Sequence, residues 1–233
     1  LPLGGLGRLV GGGMVERRLR RMFEYRHDVL AHDTLLHRRA GARPRRVAMT
    51  GASGLVGRSL RALLESGGHT VVPLVRDDRR HGIRWSPRRG EIDRAALEGF
   101  DAVVHLAGEN LAQRWTPQAK ERIRESRRAG TRLLAETIGR LVDPPEVFVS
   151  MSAVGFYGDA GDAPLDEEAP SGEGFMAEVC VEWEEASRAA AGPDTRVVNP
   201  RLGVVLSPAG GALAKMELPF RLGVGGRVGT GRQ

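Results

Sequence analysis

The chain has 233 residues, of which 41% are hydrophobic, with 35 basic and 29 acidic side chains. Its single cysteine, Cys180, excludes an internal disulfide, and no apolar run is long enough to span a bilayer. The length suits one large globular domain, or one plus a smaller piece, and we expect a reducing compartment such as the cytoplasm without a membrane segment or signal peptide. Because the first residue is Leu and not Met, we also expect the sequence to be cut at its ends.

The positive charge is concentrated in the first 46 residues, which hold 11 arginines and four acidic residues. Within this segment, Met14–Leu36 predicts a helix, and residues 38–45 have the composition of a linker. One interpretation is a basic arm for nucleic acid or a membrane surface. We favour the other, in which residues 1–45 end a preceding domain, because aromatic residues are few and acidic residues are interspersed. We accordingly predict no nucleic-acid and no membrane partner.

Three histidines in this helix, His27, His32 and His37, recur every five residues. This spacing does not place them on one helical face, so we predict no metal site there.

A glycine-rich turn follows a short apolar strand that the pattern predicts at Arg46–Met49. Its glycines are Gly51, Gly54 and Gly57, in the pattern G-x-x-G-x-x-G. Such glycines permit a tight turn, let a pyrophosphate approach the backbone, and let the next helix lie close to the sheet. The free N–H groups at the helix start then bind phosphate oxygens. The turn thus predicts a dinucleotide site, and the alternative is a plain strand–helix connection.

The context of this turn favours the dinucleotide site. A helix with an apolar stripe follows the turn, and Thr70–Val75 predicts a second buried strand. The residue at the end of that strand distinguishes the two nicotinamide cofactors, since an acid there binds the ribose hydroxyls of NAD and an arginine binds the 2′-phosphate of NADP. Arg76 comes first after the strand, so we predict NADP. In the competing interpretation Asp77 or Asp78 binds the hydroxyls.

The rest of the chain alternates predicted strands and helices. Strands are predicted at Ile83–Trp85, Asp101–Ala107, Val147–Met151 and Thr195–Asn199, and helices at Pro117–Leu141, Phe175–Ala191 and Met216–Leu222. This alternation predicts an α/β fold with a Rossmann-type, doubly wound parallel sheet. The loop 153–174 is long enough to suggest a functional role, and Glu109 and Asn110 follow a strand where ligands of such sheets bind.

Six motifs occur in a recognisable order: TGASGLVG, HLAGENL, RW followed by KERIRESR, SMSAVGFYGD, EVCVEWE and PRLGVVLSPAGGAL. Together they resemble the epimerase-like (nucleoside-diphosphate-sugar epimerase-like) family of atypical extended short-chain dehydrogenases/reductases. The resemblance implies an NADP-binding Rossmann domain over residues 46–203 and the beginning of a small C-terminal substrate lobe over 204–233. Residues 1–40 resemble, more weakly, the C-terminal helix of a START-like domain that some bacterial members carry in front.

The resemblance also implies a set of cofactor contacts. Carried over residue by residue, they are Gly51, Ser53, Gly54, Leu55, Val56, Gly57, Val75, Arg76, Leu106, Ala107, Arg127 and Val205. Leu106 and Ala107 would lie beside the adenosine half. For Arg127 the alternative is an ion pair on a helix surface, with Glu121 or Glu125.

The usual catalytic pair of hydride-transferring relatives is missing. These enzymes use Tyr-x-x-x-Lys, in which the lysine lowers the pKa of the tyrosine. On the matching helix, Met176 stands for the tyrosine and Cys180 for the lysine. Ser152 matches the hydroxyl that orients the substrate, and Tyr157 follows it. We expect Ser152 to polarise a carbonyl or hydroxyl and Tyr157 or Cys180 to handle the proton, with a buried, inert thiol the favoured alternative for Cys180.

Two functions therefore compete. The first is an NADP-dependent oxidoreductase or epimerase that acts on a sugar-nucleotide-like or other polar small molecule. The second is a non-catalytic NADP(H)-binding sensor or partner-binding protein that lacks the Tyr-Lys pair. The missing pair favours the second, whereas Ser152 and the long loop favour the first. The oligomeric state is left open.

Overall fold

A computed structural model describes residues 5–41, 43–77, 80–227 and 231 of the chain. Its helices are α1 (Gly5–Ala40), α2 (Leu55–Ser66), α3 (Pro117–Ile138), α4 (Phe175–Ser187) and α5 (Gly211–Arg221). Its strands are β1 (Arg46–Thr50), β2 (Thr70–Val75), β3 (Ile83–Ser86), β4 (Glu91–Ile92), β5 (Ala102–His105), β6 (Val147–Ser150), β7 (Ser152–Ala153), β8 (Arg196–Val198), β9 (Arg201–Leu202) and β10 (Leu206–Ser207).

The chain divides into two compact units. One consists of residues 1–44 with 66–68, and the other of residues 45–65 with 69–233. The first unit is mainly α1, which extends beyond the predicted Met14–Leu36 at both ends. The large apolar side chains of α1 from Met14 to Leu36 are exposed.

Seven strands of the second unit form one sheet, in the order β4-β3-β2-β1-β5-β6-β8. All neighbouring pairs are parallel except β3 with β4. The chain runs outward from β1 through β2 to the edge and then returns to β5 on the other side of β1. This reversal is the point where doubly wound sheets bind ligands, outside the carboxyl ends of the strands.

Apolar clusters cover both faces of the sheet. Successive side chains of a strand point to opposite sides, so neighbouring residues of β1 contribute to different clusters. Val47 and Met49 of β1 pack with Leu60 and Leu64 of α2 in one apolar cluster. The intervening Ala48 belongs to the other cluster, which contains Leu134 and Ile138 of α3, Phe148 and Trp85. The predicted Rossmann-type α/β fold is therefore confirmed.

Several element boundaries differ from the predictions. The strand predicted over Asp101–Ala107 ends at His105, because the next two N–H groups bond to a side chain of β1 and not to a strand. The helix predicted over Phe175–Ala191 ends at Ser187, and the chain tightens there into a 3-10 turn. Helix α5 begins five residues earlier than predicted and contains Pro219.

Candidate functional site

The glycine turn joins β1 to α2 at the carboxyl edge of the sheet. Gly51 has a φ of +67°, and a side chain there would meet the Leu106 carbonyl carbon at 2.9 Å. A Cβ on Gly57 would lie 2.1 Å from the Gly51 carbonyl oxygen. Both positions therefore require glycine, because backbone fills the space that a side chain would need. Gly54 closes the turn by donating its N–H to the Gly51 carbonyl at 2.9 Å.

The turn leaves backbone donors available at the start of α2. The N–H groups of Ser53, Leu55 and Val56 donate to no other described residue. Ser53 and Gly54 are exposed, and the first turn of α2 has no acidic side chain. An anion is favoured at such a helix start, by the N–H groups and by the helix dipole.

A hydroxyl of β1 fixes the chain just beyond β5. Thr50 Oγ1 accepts the N–H groups of Leu106 and Ala107 at 3.0 and 3.1 Å, and lies 2.7 Å from Nδ1 of His105. Since both lone pairs of Thr50 are used, its proton is donated to Nδ1, and the imidazole proton is on Nε2. Burial, together with the smaller effect of the Arg127 charge, lowers the pKa of His105 to about 3, so the ring is neutral. Leu106 and Ala107 are thereby held against Gly51.

Helix α3 fixes the loop that follows. Ser126 Oγ accepts the Glu109 N–H at 2.9 Å, and Arg127 Nη1 donates to the Glu109 carbonyl at 3.2 Å. Arg127 also donates to the Ile123 carbonyl at 3.2 Å, and its guanidinium lies 5.0 Å from the Trp183 ring centroid. The predicted alternative, an ion pair with Glu121 or Glu125, is wrong, because Arg127 is only 7% exposed and Glu125 pairs with Arg128.

Arg127 is a buried cation with unused hydrogen-bonding capacity. Burial lowers its pKa. Its Nε has no hydrogen-bond partner, and it forms no ion pair with any described residue. A buried guanidinium without an acid partner is costly, so this position suits an anionic or hydroxyl-bearing ligand.

Two further predicted contact regions lie at the same edge. Val75 and Arg76 line a cleft of about 220 Å³ beside the β3–β4 hairpin. On the other side of the turn, the segment that contains Val205 returns to α2, because a Cβ on Gly211 would lie 3.2 Å from Leu55 Cδ2 and 3.5 Å from the Val205 carbonyl oxygen. The tertiary structure therefore brings Val205 near the glycine turn despite their distance in sequence.

Met176 and Cys180 stand at the two positions of the missing Tyr-Lys pair, and both lie close to Gly155. A Cβ on Gly155 would lie 3.3 Å from Met176 Cβ and 4.0 Å from Cys180 Sγ. Cys180 is fully buried, and burial raises the pKa of its thiol, although hydrogen bonds with Ala153 and Ser152 lower it in part. A thioether and a neutral thiol therefore lie close together at the two positions that the family resemblance assigns to the tyrosine and the lysine.

Ser152 and Tyr157 are joined by a chain of polar contacts. Ser152 Oγ donates to Glu184 Oε1 at 2.6 Å, and Arg201 donates to both carboxylate oxygens of Glu184 at 2.9 Å. Arg201 Nη1 also donates to the Tyr157 hydroxyl at 2.8 Å, and that hydroxyl donates to the Asp166 carbonyl at 2.8 Å. The Arg201 guanidinium lies 3.5 Å from the Phe156 ring centroid. The start of the 153–174 loop is therefore tied to α4.

Glu184 and Arg201 carry the charges in this series of polar contacts. Burial raises the pKa of Glu184, but the hydrogen bonds from Arg201 and Ser152 outweigh that effect and lower it overall. The hydrogen bond to Glu184 raises the pKa of Arg201, so both groups are ionised near neutral pH. Because Glu184 only accepts and Arg201 only donates, the directions of the Ser152 and Tyr157 protons follow.

Comparison with known proteins identifies the family. A sequence model of the NAD dependent epimerase/dehydratase family matches residues 47–218. This chain belongs to that family. An epimerase family protein of Mycobacterium bovis is 43% identical over 190 residues, which are 80% of this chain and 62% of the relative. The human epimerase family protein SDR39U1 is 38% identical over 192 residues, or 81% of this chain and 64% of the relative.

Two solved structures of epimerase-family proteins resemble the chain. A nucleoside-diphosphate sugar epimerase from Corynebacterium glutamicum has a TM-score of 0.78 and 41% identity, over 90% of this chain and 45% of that one. Human SDR39U1 with NADPH has a TM-score of 0.72 and 37% identity, over 81% of this chain and 63% of that one. The resemblance drawn from the six motifs is confirmed for the family. The chain spans less than two thirds of the length of the relatives it matches.

Sequence reasoning missed several residues of this epimerase-family site. Glu184 and Arg201 stand in the quoted motifs EVCVEWE and PRLGVVL, but nothing in either motif shows that they pair. Thr50 and Ser126 have structural roles that depend on partners more than 15 residues away. A polar residue at the end of a buried strand was the only local signal for Thr50.

The described residues of this epimerase-family chain offer neither a metal cluster nor a membrane-spanning helix. No three His, Cys, Asp or Glu side chains in the described ranges come together as a metal-ion site. Within the same ranges, none of the helices is both long enough and apolar enough to cross a bilayer.

Proposed function

We propose that this chain is the cofactor-binding part of an NADP-dependent oxidoreductase or epimerase that acts on a sugar-nucleotide-like or other polar small molecule. The observation that carries the proposal is the turn at Gly51–Gly57, where backbone leaves no room for a Cβ on Gly51 or Gly57 and the N–H groups of Ser53, Leu55 and Val56 form a cradle of donors without a described acceptor. The cradle lies at the point where the strand order reverses, which is where such sheets bind dinucleotides.

NADP is proposed over NAD on two grounds. Arg76 follows β2, where a cation pairs with a 2′-phosphate, and human SDR39U1 was solved with NADPH. The cofactor would supply the hydride. We propose that the amides of Ser53, Leu55 and Val56 bind its pyrophosphate and that Arg127 binds an anionic or hydroxyl group of its nicotinamide half.

The substrate side is proposed at Ser152 and Tyr157. Ser152 lies two residues beyond Ser150, which is in register with His105 and so stands at the carboxyl edge of the sheet. Ser152 would polarise the reacting carbonyl or hydroxyl, and Tyr157 would handle the proton. Both hydroxyls already have protein partners, but catalytic hydrogen bonds often tighten only when substrate is present.

A fluorescence titration with NADPH and NADH tests the cofactor proposal. We expect tighter binding of NADPH. Tighter binding of NADH would refute the choice of cofactor, and binding of neither would refute the site. A panel of sugar nucleotides and polar carbonyl compounds, followed by NADPH absorbance, then tests turnover. For any active pair, unchanged turnover in Ser152→Ala would remove Ser152 from the mechanism.

A second candidate function is a non-catalytic NADP(H)-binding protein. The observation that favours it is the filling of the catalytic helix positions by Met176 and the buried, neutral Cys180. Such a protein would bind NADPH and leave it unoxidised with every compound of the panel.

For the remaining segments we propose that residues 1–45 end a preceding domain and that residues 204–233 begin a substrate lobe. The exposed apolar side chains of the second segment support the latter, among them Val204, Leu206, Leu218, Phe220 and Leu222.

A further inference from the structure

The cleft beside β2 is lined by several arginine side chains. It is lined by Val75 and Arg76 on one side and by the β3–β4 hairpin on the other, and its volume is about 220 Å³. Three of its lining residues are arginines: Arg76, Arg84 and Arg89. Of these three, only Arg76 follows the end of β2, where the sequence predicted the residue that distinguishes NADP from NAD.

The sheet brings the hairpin arginines to this place. Val75 and Arg84 are in register on the parallel strands β2 and β3, so Arg84 lies beside the residue that precedes Arg76. The chain then turns at residues 86–90, where Arg89 donates its N–H to the Ser86 carbonyl at 3.0 Å. The antiparallel pairing of Ser86 with Glu91 returns the chain along β3 and places Arg89 over the same cleft.

The acidic residues that line the cleft leave donors of Arg76 and Arg89 available. Glu91 pairs with Arg89 through Nε at 3.0 Å, while the two Nη groups of Arg89 bond to no other described residue. Asp93 caps the following 3-10 turn by accepting the Ala96 N–H at 3.1 Å. Arg76 forms no ion pair with any residue of the described ranges. Arg76 and the Nη groups of Arg89 therefore offer guanidinium donors in the cleft.

Guanidinium groups bind phosphate oxygens in a bidentate manner, and several exposed cations are needed because each alone contributes little. We propose that Arg84 and Arg89 of the β3–β4 hairpin join Arg76 in binding the 2′-phosphate of NADP(H), so that the hairpin sets the preference for NADP over NAD. This inference rests on the proposed cofactor function and adds two specificity-determining residues to it.

Isothermal titration with two adenosine probes isolates the phosphate contact from the nicotinamide. Adenosine 2′,5′-bisphosphate carries the 2′-phosphate, and adenosine 5′-monophosphate lacks it. We expect Arg84→Ala and Arg89→Ala each to weaken the bisphosphate by about 5- to 30-fold, which is less than the loss of a buried charge-assisted hydrogen bond because both side chains are exposed. Binding of the monophosphate should change by less than about twofold, since no 2′-phosphate is present to lose a partner.

The matched control is Arg88→Ala. Arg88 is exposed on the same hairpin turn but does not line the cleft, so its removal changes the net charge equally and should leave the selectivity intact. Added salt should weaken the bisphosphate more than the monophosphate in the wild type, and this difference should shrink in the two cleft variants. Urea midpoints within error of the wild type would show that the hairpin still folds.

The outcomes separate this inference from the proposed function. An unchanged preference for the bisphosphate in Arg84→Ala and Arg89→Ala would overturn the role of the hairpin while leaving NADP binding intact. An equal loss for both probes, or the same loss in Arg88→Ala, would also overturn it. A wild-type chain that binds neither NADPH nor NADH would instead remove the cofactor function itself.

Discussion

Replacing Arg201 by alanine tests whether the polar chain at the substrate side is a real stabilising element. Arg201 makes two hydrogen bonds to the carboxylate of Glu184, one to the Tyr157 hydroxyl and one to the Glu167 carbonyl, and it stacks on Phe156. Its side chain is 18% exposed, and that of Glu184 is 13% exposed. The substitution would leave the Glu184 carboxylate in a half-buried place with Ser152 as its remaining donor.

The expected loss of stability in Arg201→Ala follows from the burial of Arg201 and Glu184. Breaking a fully buried ion pair by removing one partner costs about 3–5 kcal/mol, because a charge is left without compensation. The remaining solvent access reduces this cost, so we expect Arg201→Ala to lower the free energy of unfolding by about 2–4 kcal/mol. Arg201→Lys keeps the charge but loses the paired geometry, so it should fall between the wild type and the alanine variant.

Urea unfolding measures the change in the free energy of unfolding of the protein. The reactivity of the single cysteine measures local opening around it. Cys180 is buried beside Gly155 and Ser152, so the rate of its reaction with a thiol reagent reports opening of the 153–174 loop. We expect a faster reaction in Arg201→Ala at urea concentrations well below the midpoint.

The control is another arginine in an ion pair. Arg221 and Glu217 form an i,i+4 pair with side chains 75% and 50% exposed, and such pairs contribute about 0.5 kcal/mol or less. If Arg201→Ala destabilises the protein no more than Arg221→Ala, and Cys180 is equally unreactive in both, the reasoning from burial is refuted.

Three further outcomes are expected. Gly57→Ala should abolish NADPH binding, because its Cβ would lie 2.1 Å from the Gly51 carbonyl oxygen, and fluorescence titration measures this. Stability should fall by about 2–3 kcal/mol between pH 7 and pH 4.5 from His105 alone, since its pKa is about 3 in the fold and about 6.5 in the unfolded chain, which therefore takes up the proton first. Above about pH 8.5 stability should fall through Cys180, whose thiol keeps its proton in the fold and loses it when unfolded; urea midpoints against pH check both.

Each of these has its own control. A Cβ on Gly192 would meet nothing within 4 Å, so Gly192→Ala should bind NADPH as the wild type does. His105→Asn should flatten the pH dependence on the acid side, even though it also loses the bond to Thr50, and Cys180→Ser should flatten the alkaline side. An unaltered pH slope in either variant would contradict the assigned group.

The strand–turn–helix order and the glycine turn were predictable from the residue pattern, and the loss of the Tyr-Lys pair was predictable from the resemblance of the motifs to a known family. Each depends on residues close together in the chain: an apolar run of period two, glycines three apart, or two positions four apart on one helix. Such patterns are local, so no knowledge of the fold is needed to recognise them. The same holds for Arg76, whose place follows directly from the end of β2.

The partnerships that shape the site were decided only by the tertiary structure. Thr50 terminates β5 by accepting the N–H groups of Leu106 and Ala107, which are more than 50 positions later in the sequence. Arg201 pairs with a carboxylate 17 positions earlier. Arg84 reaches the cleft through the register of β2 with β3. A polar side chain in a motif has many possible partners, and local pattern cannot choose among them. The packing of the sheet and of α4 brings one partner within hydrogen-bond distance and buries the pair, and this determines its strength and its charge.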